Sequence, residues 1–136
     1  MWKFNGSFLT SPDGMKVWSA RSGGIAGHSR NVTYGADGYA QHLPDGPYHI
    51  LPVRHGGWIS QEEMRIPGRN IGWFVPLEPC FQTDRGTPGK GMFGIHPDGG
   101  QPGTNGCIGV FSGDYDELFS MLTDRSLSNL LEVKYS

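Results

Sequence analysis

The sequence predicts a mainly β fold with one C-terminal helix, α+β in class and compact enough for a single domain. Three observations carry this. The 136 residues include 22 glycines and 10 prolines, far above an average glycine share of about 7%, which excludes a helical bundle. Apolar residues come in short runs bounded by Gly, Pro, Asn, Asp or Ser, the pattern of short strands. Helical periodicity is confined to one stretch near the C-terminus. The length suits one domain over residues 1–136, since single domains commonly run to about 100–150 residues. An aromatic share of 12% argues against disorder.

Taken in order, residues 1–20 read as a hairpin. Trp2, Phe4 and Phe8 mark its first strand, Ser11-Pro12-Asp13-Gly14 its turn, and residues 15–20 its second strand. Residues 21–46 are glycine-rich and polar and read as a long surface loop, of a length usually kept for function or mobility. Residues 47–53 form a strand, 54–69 a loop or ragged strand pair, and 71–77 another strand. Residues 83–90 are turn-rich. Residues 92–96 form a strand ending at a histidine, 97–106 a glycine-rich loop, and 107–111 a short apolar strand. Asp114 with Glu117 three residues later is a capping-box-like helix start. Tyr115, Leu118, Phe119 and Leu122 then fall on one helical face, and the helix ends near residues 123–125. Residues 130–135 close the chain as a strand. There is no internal repeat and no interdomain linker.

Charge and composition exclude several classes. The net charge is -2 and the eleven Lys and Arg residues are scattered, so no nucleic-acid footprint is present. No run is apolar enough for membrane insertion. The opening Met1-Trp2-Lys3-Phe4-Asn5-Gly6 lacks an apolar signal core, which implies synthesis in the cytoplasm without a signal peptide. Cys80 and Cys107 leave room for one disulfide, against which the reducing birthplace argues. Neither Cys-x-x-Cys nor His-x-x-x-His occurs, so no metal is expected, and no cofactor.

The chemistry concentrates in residues 93–109. His96 ends one strand and Cys107 starts the next, eleven residues later, across a glycine-rich loop. If the two strands are neighbours, imidazole and thiol share one place. A cysteine nucleophile needs this, because the thiolate is the reactive form and a nearby imidazole takes up the thiol proton. Gly106 allows a sharp backbone turn, which lets the amides of Gly106 and Cys107 face an oxyanion. The plain alternative is a buried structural cysteine beside a structural histidine.

The segment also resembles a family. His96 followed by Thr104-Asn105-Gly106-Cys107-Ile108 is similar to the signature of the YkuD-like L,D-transpeptidases, a histidine, a loop, then Ser/Thr-x-Gly-Cys and an apolar residue. The short His-to-Cys loop, Phe93-Gly94-Ile95-His96 and, loosely, Pro44-Asp45-Gly46-Pro47-Tyr48 look like a compact branch of effectors delivered by type VI secretion. The resemblance covers roughly residues 34–111 and is specific at 93–108. It implies a YkuD-like β-fold with Cys and His at a cleft. It further implies attack on the bond between meso-diaminopimelate and the terminal D-alanine of peptidoglycan stem tetrapeptides. The acyl group then passes to water, a free D-amino acid or another stem. An antibacterial toxin acting in a target-cell periplasm, a secretion apparatus and a cognate immunity protein are implied with it. Pro97 and Gly109 depart from the family, where many members have Gly and Arg. Substrate-carboxylate binding at position 109 is therefore left unassigned. A third catalytic element orienting the histidine falls to Asp98 or to the Pro97 carbonyl.

Other residues are candidates for substrate binding. Arg85 and Lys90 precede the histidine strand and suit a substrate carboxylate. Thr104 and Asn105 adjoin the nucleophile, where Thr104 either hydrogen-bonds or holds the turn. Trp73, with Trp58 and Phe74, suits a stem-peptide groove or the core. Cys80 reads as structural, and His28, His42 and His49 as surface or local packing. His55-Gly56-Gly57 mimics a His-Gly motif with no cysteine near it. Two rival functions stand beside the enzyme: a non-catalytic stem-peptide binding module, and a papain-like amidase. The second is disfavoured because the histidine precedes the cysteine and the cysteine leads into a strand.

Overall fold

The computed structural model of the protein describes residues 1–23, 42–82, 93–99 and 106–135. Short strand segments make up most of the regular structure in these residues. They are β1 (Trp2–Phe4), β2 (Phe8–Thr10), β3 (Val17–Ser22), β4 (Gly46–Ile50), β7 (Val75–Pro79), β8 (Phe93–Pro97), β9 (Ile108–Ser112) and β10 (Leu130–Val133). These eight close into a barrel in the order β1-β10-β4-β7-β8-β9-β3-β2. Two short strands, β5 (Trp58–Ile59) and β6 (Gly72–Trp73), form a separate pair, and the helix is α1 (Tyr115–Thr123).

Alternation decides what faces inward. Trp2 and Phe4, Trp18 and Ala20, Tyr48 and Ile50, Val75 and Leu77, Phe93 and Ile95, Ile108 and Val110, and Leu131 and Val133 are all buried and belong to one core. Each pair is spaced by two, so each strand sends one face into the barrel. An eight-stranded barrel is just wide enough for such side chains to fill it. The side chains of this core fill the interior, which leaves the outer face as the other surface of the sheet. That face is covered at β7 and β8, where Pro76, Gly94 and His96 are buried as well.

Pairing is antiparallel except at two places. β1 runs parallel to β10, with Trp2 opposite Leu131. β8 runs parallel to β9, with Ile95 opposite Ile108 and His96 opposite Gly109. The helix begins as its sequence indicates: the Asp114 carboxylate accepts from the Glu117 amide at 3.0 Å, filling one of the bonding positions a helix start leaves open. Leu118 and Leu122 join the core.

Several boundaries differ from the sequence reading. The first strand is two, because the Asn5 side chain accepts from the amides of Ser7 and Phe8 and turns the chain there. Leu9 then takes the inward position and Phe8 faces out. Of the stretch read as a loop at 21–46, Arg21 and Ser22 finish β3, Gly46 opens β4, and Leu43 is buried with its amide on the Ser22 hydroxyl at 2.7 Å; residues 24–41 lie outside the described residues. The strand expected at 71–77 is split between β6 and β7. The segment 54–69 holds two short 3-10 turns and β5. Residues 83–90 and most of 97–106 lie outside the described residues.

Candidate active site

The parallel register of β8 and β9 sorts their side chains. Ile95, Ile108 and Val110 point into the barrel, so Gly94, His96, Gly109 and Phe111 stand on the outer face. Cys107 precedes β9 by one residue, in the bend that leads into it. The histidine thus stands on β8 and the cysteine just before the neighbouring strand β9, two residues ahead of the Gly109 that His96 pairs with.

His96 is 3% exposed. Its Nδ1 lies 2.6 Å from the Pro97 carbonyl oxygen. A carbonyl oxygen only accepts, so Nδ1 carries the proton and Nε2 presents a lone pair. Burial pushes the imidazole pKa below its usual 6.5, against the Pro97 hydrogen bond and the negative charges of Asp98 and Glu63, which favour the charged ring. The ring is therefore neutral near pH 7, and a proton taken up by Nε2 meets a field that stabilises it.

A ring wall fixes the imidazole. The Phe74 ring lies nearly parallel to it, 17° between planes and 6.2 Å between centroids. Phe74 gets there only because residue 94 is glycine: a Cβ on Gly94 would run into the Phe74 ring. Phe74 also lines a cavity of about 260 Å³, shared with Arg54, His55, Trp58, Ile59 and Pro76. One aromatic side chain thus walls both the histidine and the pocket.

Asp98 sits just past β8, with its amide on the Val110 carbonyl at 2.8 Å. Its carboxylate accepts from Arg21 Nε at 2.6 Å, and its side chain is fully buried. The hydrogen bond to Nδ1 of His96 is made by the Pro97 carbonyl, while Asp98 reaches the imidazole through its charge. The Arg21 guanidinium lies over the Phe111 ring, 4.4 Å from its centroid. Tyr115 belongs to the same neighbourhood: burial raises its pKa first, and the charges of Asp98 and Arg21 act on it in opposite senses.

Gly106 has φ +97°, a conformation that favours glycine, as the sharp turn before Cys107 requires. Cys107 is 8% exposed. Cys80 is exposed and carries no disulfide, so the two cysteines are not joined. Arg85, Thr104 and Asn105 lie outside the described residues, as does Lys90. Trp73 is wholly buried and stacks on Phe119 at 5.2 Å. Its neighbours Trp58 and Phe74 are the aromatics that reach the pocket. His55 stands in a 3-10 turn on the same pocket. Among the described residues no cluster of three or more His, Cys, Asp or Glu is placed to hold a metal ion, and no helix is long and apolar enough to cross a membrane.

Arg21, Phe111 and Tyr115 escaped the sequence reading as site residues, and Phe74 was anticipated only as a groove or core aromatic. Strand alternation would have found Phe111 once β9 was known. Arg21 requires the β3–β9 pairing, which leaves no local mark. No family model matches the chain, and no curated protein or solved structure matches it.

Proposed function

We propose that this protein is a cysteine-dependent acyl-transfer enzyme of the L,D-transpeptidase type, acting on peptidoglycan stem tetrapeptides. The observation that carries the reading is the tautomer of His96. With Nδ1 tied to the Pro97 carbonyl, Nε2 is left as a base, on the strand beside the one that Cys107 leads into. The resemblance of residues 93–108 to the YkuD-like signature names the substrate.

In this reading the Cys107 thiol gives its proton to His96 Nε2. The thiolate attacks the carbonyl between meso-diaminopimelate and the terminal D-alanine. The amides of Gly106 and Cys107 receive the oxyanion. His96 returns the proton to the leaving amine, and D-alanine departs. Water, a free D-amino acid or a second stem then opens the thioester. No metal or cofactor takes part. The same resemblance carries the wider proposal of a secreted antibacterial effector that works in a target-cell periplasm and is held in check by an immunity protein.

Burial of Cys107 favours one rival, a module that binds stem peptides without cutting them. Mass spectrometry of tetrapeptide muropeptides separates the two. Wild-type protein is expected to remove the terminal D-alanine, or to replace it when a free D-amino acid is supplied. Cys107→Ala is expected to fold and to do neither. No change with folded, reduced wild-type protein sinks the enzyme and leaves the binding module.

A further inference from the structure

We propose that Arg21 is a carboxylate receptor built into the site, and that it confines the enzyme to bonds followed by a single residue with a free carboxylate. The proposal rests on the acyl-transfer reading above and adds its specificity.

The register makes the argument. Arg21 pairs with Gly109 across β3 and β9, and His96 pairs with Gly109 across β8 and β9. The three residues form one row across three strands. Their inward neighbours Ala20, Val110 and Ile95 are buried in the barrel, so Arg21 and His96 both stand on the outer face. Adjacent strands lie about 4.8 Å apart, which puts the two backbones roughly 10 Å apart. Between them β9 contributes no side chain, because position 109 is glycine.

Arg21 is held, not loose. Its Nε donates to the buried Asp98 carboxylate, and its flat face lies on Phe111. Its side chain stays 28% exposed. Arginine has five N–H donors, and the Asp98 bond uses Nε alone. Among the described residues the four Nη donors have no partner. A guanidinium fixed on one edge and one face, with no partner on its other edge among the described residues, is preorganised for bidentate capture of a carboxylate. A buried carboxylate is a poor way to gain stability, since removing it from water offsets most of the attraction. It is a good way to aim an arginine.

The geometry selects the class of ligand. In a substrate whose last residue is the leaving group, the terminal carboxylate is one residue from the scissile carbonyl, and consecutive Cα atoms are about 3.8 Å apart. Cys107 lies two residues before Gly109 at the start of the middle strand, so in this proposal a carboxylate one residue beyond the scissile carbonyl falls between His96 and Arg21. A longer or amidated chain offers no anion there. A free amino acid arriving as acceptor presents the same carboxylate to the same guanidinium.

The test compares a stem tetrapeptide ending in a free carboxylate with its C-terminal amide. Wild type is expected to favour the acid, and Arg21→Gln to lose roughly ten- to a hundred-fold on the acid, as fits a charged hydrogen-bond pair, with little change on the amide. Equal losses on both substrates, or no acid preference in wild type, overturn the proposal. Arg21→Gln strands the Asp98 charge, so Arg21→Gln with Asp98→Asn is run beside it and keeps the test readable if the single variant fails to fold.

A second readout needs no turnover and decides the matter even if neither peptide is cut. Cys107 is alkylated with iodoacetate and with iodoacetamide, in a Cys80→Ser background. The iodoacetate-to-iodoacetamide rate ratio is expected to fall several-fold on loss of Arg21. An unchanged ratio overturns the receptor. So does a thiol that reacts with neither reagent, because no ligand then reaches the row.

Discussion

Residue 97 carries as much of the proposed chemistry as residue 96. A carbonyl oxygen 2.6 Å from Nδ1 sets the tautomer, and the tautomer sets which nitrogen is the base. Burial lowers the His96 pKa, and the consequence for stability has a definite sign. Above pH 6.5 the ring is neutral folded or unfolded. Below it the unfolded chain binds a proton that the native state refuses until its own lower pKa is reached. Stability is therefore full above about pH 6.5 and falls on acidification, by about 1.4 kcal/mol for each unit of pKa depression. Urea midpoints at pH 8 and pH 5.5 check this. Wild type is expected to lose midpoint at the lower pH, and His96→Gln to lose less. Parallel losses would assign the acid sensitivity to other groups.

At the scale of elements, the covered outer face of β7 and β8 is what makes a buried histidine tenable. Gly94 admits the Phe74 ring, and the ring flattens against His96. Gly94→Ala is expected to destabilise the protein by about 1–3 kcal/mol through overpacking. Phe74→Leu in the same chain should recover part of that, which a double-mutant cycle on denaturation midpoints measures. Additive effects would mean that the ring does not depend on the glycine. The helix offers a simpler case. Asp114→Ala removes the bond to the Glu117 amide and is expected to cost about 1 kcal/mol, read as a lowered melting temperature.

The helix, β8, β9 and β10 were legible because each advertises itself locally, by a cap, a period of 3.6 or a short apolar run. That His96 and Cys107 border neighbouring strands was legible for the same reason, since both residues flank such runs. The break at Asn5 was hidden, because one side-chain oxygen makes it inside an otherwise continuous strand pattern. Barrel closure was hidden more deeply. Parallel pairing of β1 with β10 and the Arg21–Gly109 match join residues far apart in sequence, and composition and periodicity report only on neighbours. Trp73 was ambiguous by nature: a large aromatic in a strand suits a groove or a core, and stacking on Phe119 places it in the core.

For the molecule as a whole, one core joins every barrel strand, so a loss in the last strand should be felt throughout. Leu131→Ala, at a position 1% exposed, is expected to destabilise by about 2–5 kcal/mol. Fluorescence of the tryptophans and far-ultraviolet dichroism should still report one coincident transition. Separate transitions would show that β1 and β10 form a unit of their own. The first strand finds its partner only in the last, and this has a kinetic consequence. That pairing joins the two ends of the chain, so distant segments must come together before the contact rewards them, and folding in the millisecond-to-second range is expected. Until β10 arrives, β1 lacks one of its two neighbours. A nascent or unfolded chain therefore stays open to chaperones, or to passage through a narrow channel, for longer than a helical protein of this length would.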